Sequence, residues 1–142
     1  MRELEGMCEG ADPRELTAHK VNPANDKLCI QVTDEVGAGG AHHRYEITGY
    51  DSTNNPSGDM GDIRCRTVIL FQNGPIGEKG VNGLTQEALL AICIDRLASF
   101  QSGPFACEEN EKALLLLEEA LSWLKIRTRK RMQRGVEGTH EK

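Results

Sequence analysis

Between Lys125 and Arg134 the chain places six cations, Lys125, Arg127, Arg129, Lys130, Arg131 and Arg134, with no acid among them. The other eleven cations stand against all 22 acids, so this stretch sums to +6 and the remainder of the chain to −11. An acidic protein has reserved one short segment for anions. On a helix, Arg127, Arg131 and Arg134 follow i, i+4, i+7 spacing and share a face, where planar guanidiniums can grip a phosphate or pyrophosphate together. A simpler account also exists, because Glu108, Glu109 and Glu111 at the start of the same segment and cations at its finish suit a helix dipole. About two or three cations satisfy a dipole, and six exceed that need.

Two of the chain's three phenylalanines, Phe100 and Phe105, flank the break Ser102-Gly103-Pro104, close in sequence to Asn110. One reading has both rings closing a hairpin; the other has one ring stacking on a nucleobase while Asn110 supplies an amide to base or ribose. In an antiparallel hairpin these residues lie roughly 25 Å from Arg127 and Arg131, at 1.5 Å per residue. They form one site with the arginines only if a second subunit lays its helix alongside in reverse, so the functional reading requires a composite pocket in a dimer. Other chemistry is thinly supported. His42-His43 lacks a further ligand at usual metal spacing, Gly77-Glu78-Lys79-Gly80 lacks the ending of a phosphate-binding P-loop, and no nucleophile and base stand out for catalysis. Neither a metal, a cofactor nor an enzyme activity is expected.

These residues need a frame. A chain of 142 residues is one ordinary domain in length, and with aromatics at 4% its core rests on Leu, Ile, Val and Ala. Cys8, Cys29, Cys65, Cys93 and Cys107 are an odd set without a CxxC pair and read as reduced thiols. No apolar run approaches a membrane span and no signal peptide opens the chain, so a cytoplasmic protein is expected. Residues 1–27 are polar and read as a loosely packed arm with at most one helical turn between Pro13 and His19. Strands are predicted at Leu28–Thr33, Arg44–Tyr50 and Ile63–Phe71, the last with its second half covered on both faces. Residues 28–84 thus make a β-sheet region ending in a glycine-rich loop that holds Lys79 and Asn82. Residues 85–134 make a helical hairpin, its first helix N-capped by Thr85 and its second reaching Arg134 with Gly135 as C-cap. A short tail, residues 136–142, follows. The first helix, with Ala88 to Ile94 apolar on every side, and the Leu114, Leu117, Leu121, Leu124 seam of the second point to self-association. Ala113, Leu116, Ala120 and Trp123 form a neighbouring seam. The fold class is α+β: a small antiparallel sheet followed by a long two-helix hairpin, in one oligomeric domain.

The runs Gly80–Thr85, Ser99–Asn110 and Arg127–Arg134 with Gly135–His140 resemble the helical hairpin of phage Thoeris anti-defence sponges, which share it with a shorter anti-CBASS sponge family. The resemblance covers roughly residues 62–140. It implies a phage protein that binds and sequesters cyclic ADP-ribose isomers without degrading them, in the cytoplasm of the infected bacterium. It further implies that Phe100 stacks on adenine, Asn110 holds the nucleoside, and Arg127 with Arg131 clamps the pyrophosphate across a homodimer. Relatives form hexamers with separate pockets for CBASS cyclic trinucleotides, for which the glycine loop with Lys79 and Asn82 is the candidate here; Arg134, on the face of Arg127 and Arg131, is a further secondary ligand contact. Two other classes compete. A basic helix can bind nucleic acid, against which stand the net charge of −5 and the absence of aromatics between the cations. A nucleotide hydrolase would need a general base or metal that the sequence does not offer.

Overall fold

The computed structural model describes residues 14–139. Two compact units divide the chain, one ending at Leu70 and the other beginning at Phe71. The first is an antiparallel meander in the order β1 (Arg14–Leu16), β2 (Cys29–Val32), β3 (Arg44–Thr48), β4 (Thr67–Leu70). Ile30 faces Ile47 and Val32 faces Tyr45 across β2 and β3, so β-branched and aromatic side chains meet as cross-strand pairs. Side chains alternate along a strand, which puts Cys29 and Val32 on opposite faces of β2. Both are sealed, at 1% and 0% exposure. The central strand is therefore buried on either side at these points.

Three expectations need correction in this unit. Part of the stretch read as an arm is β1, whose three residues pair with Val32, Gln31 and Ile30 and are too few to display a period. The same stretch also holds a short helix, α1 (Pro23–Lys27), started by Asn22, whose side chain accepts from the Asn25 N–H at 3.1 Å, with Pro23 at the first position. That Asn-Pro pair is a helix-start signal. Second, the expected strand Ile63–Phe71 shortens to β4, which is an edge strand with Val68 and Leu70 exposed. A continuous apolar run reports apolar side chains, not what covers them. Third, Cys65, Cys93 and Cys107 are free thiols, but Cys29 is disulfide-bonded. Cysteine spacing does not reveal which thiols the strands bring together.

Two loop devices hold the sheet. Gly49 has φ +93°, and a Cβ there would lie 1.7 Å from the Lys27 carbonyl oxygen, so no other residue fits the turn after β3. Asp34 closes the connection between β2 and β3 by accepting from the backbone N–H groups of His43 at 2.9 Å and Arg44 at 3.1 Å. Partial burial alone would raise the Asp34 carboxyl. These two donors and the nearby His42 and His43 imidazoles outweigh it and hold the group below its ordinary value.

The second unit opens with a loop pinned by Asn82. Its side chain accepts from the Asn73 N–H at 2.9 Å and donates to the Asn73 carbonyl at 2.8 Å, while its N–H donates to Gln72 Oε1 at 3.0 Å. The loop includes α2 (Ile76–Lys79) and leads into the hairpin of α3 (Gln86–Gln101) and α4 (Glu108–Gln133). No helix among the described residues is long and apolar enough to cross a membrane.

Candidate functional site

The hairpin follows its local signals closely. The Thr85 hydroxyl accepts from the Ala88 N–H at 3.1 Å, satisfying one open donor of α3. After Gly103 and Pro104 break the chain, the Gln101 side chain accepts from the Cys107 N–H at 3.0 Å and caps the entry to α4. Leu114, Leu117, Leu121 and Leu124 are half-buried along α4. They belong to the long seam on which α3 and α4 pack, with Leu90, Ile94 and Leu97 half-buried on α3. The expectation that Ala88 to Ile94 is buried all round does not hold within one chain: Ile92 is exposed. At its far end α4 stops in a Schellman motif. Gly135, at φ +73°, donates to the Met132 carbonyl and Val136 donates to that of Arg131, both at 3.0 Å.

This capping folds the tail back over the last turns of α4. The Arg131 guanidinium donates to Glu137 Oε1 at 2.8 Å and to the Val136 carbonyl at 2.9 Å, and its side chain is left only 11% exposed. Arg131 is thus oriented by the chain that follows it. Beside it runs a cleft of about 480 Å³ lined by Trp123, Ile126, Arg127, Lys130, Arg131 and Arg134. That volume is in the range of small-molecule sites. Among the described residues neither Arg127 nor Lys130 enters an ion pair. Clustered cations facing one cleft favour a ligand carrying more than one negative charge.

The structure therefore brings together Arg127, Arg131 and Arg134, as helical spacing predicts. Phe100 and Asn110 sit at the opposite end of the hairpin, about 25 Å from Arg127 along α4 at 1.5 Å per residue. The Arg96 guanidinium lies over the Phe100 ring, 5.2 Å from its centroid, as an i, i+4 cation–π pair. Lys79 and Asn82 belong to the pinned loop. Both hydrogen-bonding ends of the Asn82 side chain are engaged within it, and the Lys79 stem passes so close to Gly74 that a Cβ there would lie 2.8 Å from Lys79 Cγ. His42 bonds through Nδ1 to the Asp34 carbonyl at 2.8 Å, and His43 is buried with its Nδ1 unpartnered. Among the described residues no three His, Cys, Asp or Glu side chains converge as a metal site would need.

Sequence reasoning placed Trp123 in a hairpin seam and did not place Lys130 or Ile126 in the cleft. A signal was there. Leu116, Ala120, Trp123, Arg127, Lys130 and Arg134 form one stripe at alternating steps of four and three, and the structure leaves all six exposed.

Comparison with known proteins adds a lineage to this geometry. Residues 65–128, which include α3 and α4 as far as Thr128, match the Acb2/Tad1 hairpin domain. The likeness is confined to the hairpin and the end of the strand region before it. A protein of Bacillus phage SBSphiJ7 named Thoeris anti-defense 1 is 57% identical over 75 residues, which are 53% of this chain and 53% of that relative. This chain therefore spans about half the length of the relative it matches. Lys130, Arg131 and Arg134 lie beyond the matched hairpin domain, in the last turns of α4 and its cap.

Proposed function

We propose that this chain is a phage-encoded inhibitor of bacterial immunity that binds cyclic ADP-ribose-type signalling nucleotides and holds them intact, blocking Thoeris from the host cytoplasm. The observation that carries the proposal is the cleft on α4, where Arg127, Lys130, Arg131 and Arg134 converge in a sponge-family hairpin. A pyrophosphate between two ribosyl groups offers the paired charges that such a cluster recognises. Arg127 and Arg131 clamp it. Phe100 stacks on the adenine and Asn110 holds the nucleoside, both supplied by a second subunit whose hairpin runs in reverse. Ile92, Leu115 and Leu116, exposed on the two helices, provide the apolar surface for that homo-oligomer, dimer or hexamer. Arg134 is a secondary contact in the cleft, and a separate pocket for CBASS cyclic trinucleotides belongs to the same reading, with Lys79 and Asn82 as its candidate contacts. No bond is broken in this scheme, so the protein is a binder and not an enzyme.

The test separates capture from cleavage. The purified chain is saturated with cyclic ADP-ribose, freed of unbound nucleotide and heated, and the released small molecule is analysed. Intact nucleotide is the expected product; fragments would show hydrolysis, and no nucleotide would remove the proposal. The double variant Arg127→Ala, Arg131→Ala keeps its helical circular dichroism and loses about 3 kcal/mol or more of binding, at least roughly a hundredfold.

A further inference from the structure

We infer that Trp123 is a second stacking residue and the selectivity residue of the cationic cleft, covering the face of the base that Phe100 leaves open and making the cleft a site for a nucleobase joined to a diphosphate and not for a bare polyphosphate. The inference rests on the nucleotide-capture reading above and names a residue that reading does not use. Trp123 is the chain's one tryptophan, and it is 63% exposed. A side chain so large and apolar is left in water where something other than its own fold covers it. It stands one turn before Arg127 and two turns before Arg131 on the same face, about 12 Å from Arg131 along the axis at 1.5 Å per residue.

The stripe decides what covers it. On the stripe, the exposed Leu116 and Ala120 are apolar and the exposed Arg127, Lys130 and Arg134 are cationic, with Trp123 at the junction. An apolar surface laid over the indole would also desolvate Arg127 one turn away and leave its charge unpaired, at substantial cost. A nucleotide answers both demands with one molecule: its base presents a π face to the indole and its diphosphate reaches the guanidiniums. Phe100 cannot serve this role within one chain. It lies at the far end of the hairpin, and Arg96 already sits over its ring.

Because Trp123 is the single tryptophan, intrinsic fluorescence reports on it directly. The full chain is titrated with cyclic ADP-ribose and, separately, with inorganic pyrophosphate, following both tryptophan emission and heat. Cyclic ADP-ribose is expected to quench the emission; pyrophosphate binds more weakly without that quench. Trp123→Ala should weaken cyclic ADP-ribose binding by about tenfold, within the usual worth of a base stack, and leave the pyrophosphate titration unchanged, while Trp123→Phe retains most of the affinity. Heat without quenching, or equal nucleotide affinity in wild type and Trp123→Ala, overturns the inference and leaves nucleotide capture standing. Equal loss of both ligands in Trp123→Ala makes the ring a structural one and also overturns it. An emission maximum that moves with protein concentration but not with nucleotide assigns the ring to contact with a second copy instead. If wild type takes up no cyclic ADP-ribose at all, the capture reading itself fails, and the inference with it.

Discussion

The behaviour of Arg131 shows how one side chain's partners set what it can bind. Glu137 holds its Nε, and the Val136 and Thr139 carbonyls accept from the same guanidinium at 2.9 and 3.4 Å. These contacts fix the fork, yet the Glu137 carboxylate is also a negative charge standing where a phosphate would approach. Such a partly exposed pair is worth about 0.2–1 kcal/mol. Replacing Glu137 by Gln keeps a hydrogen-bond acceptor beside Nε and removes the charge. The expected outcome is tighter binding of cyclic ADP-ribose, by about two- to fivefold in calorimetry, with the gain shrinking as salt rises. A weaker complex would mean that the carboxylate's grip on the guanidinium outweighs its repulsion of the ligand. None of this was readable from the tail's sequence: spacing placed Arg127, Arg131 and Arg134 on one face, but the return of Glu137 depends on the left-handed turn at Gly135.

Among the secondary-structure elements, the two long helices were the legible ones, the short α1 and α2 were not, and the strands were only partly so. Thr85 and the Ser102-Gly103-Pro104 break announce α3 and its end, because caps and breakers act through neighbours in sequence. The edge strand β1 depends on a partner distant in sequence, and three residues of strand carry no period. The turn between β2 and β3 lies between these cases, since its Asp34 was passed over although Asp is a common loop-capping residue. It yields a prediction. The Asp34 carboxyl is depressed in the folded chain, so its contribution is fully present above the unfolded value of about 3.9 and is lost as pH falls through the folded value. Asp34→Asn, which keeps one acceptor and loses the charge, should cost about 1–2 kcal/mol in denaturant unfolding near pH 7. The gap between variant and wild type should narrow below about pH 4, once the wild-type carboxyl is protonated. A gap independent of pH would assign the cost to shape and not to charge.

For the molecule as a whole, a formal charge of −5 surrounds one cationic face, which disfavours extended polyanions while leaving a small dianion a local target. In the proposed capture scheme, assembly is what connects this face to Phe100 and Asn110. Leu116, exposed in the isolated chain, lies two turns before Trp123 on the shared stripe. Leu116→Glu should shift the native mass toward the monomer and weaken nucleotide binding together, measured by native mass spectrometry with and without cyclic ADP-ribose. A monomer that still binds at full strength would show that one chain suffices and that the reversed partner is dispensable. The stripe itself carries a broader implication. Because its early turns are greasy and its later turns are charged, the proposed reading has substitutions near residues 116–120 alter how many copies associate and those from 123 onward alter which messenger is held. Under that proposal, a phage lineage facing a host with a changed signal could retune its bait without rebuilding its quaternary contacts.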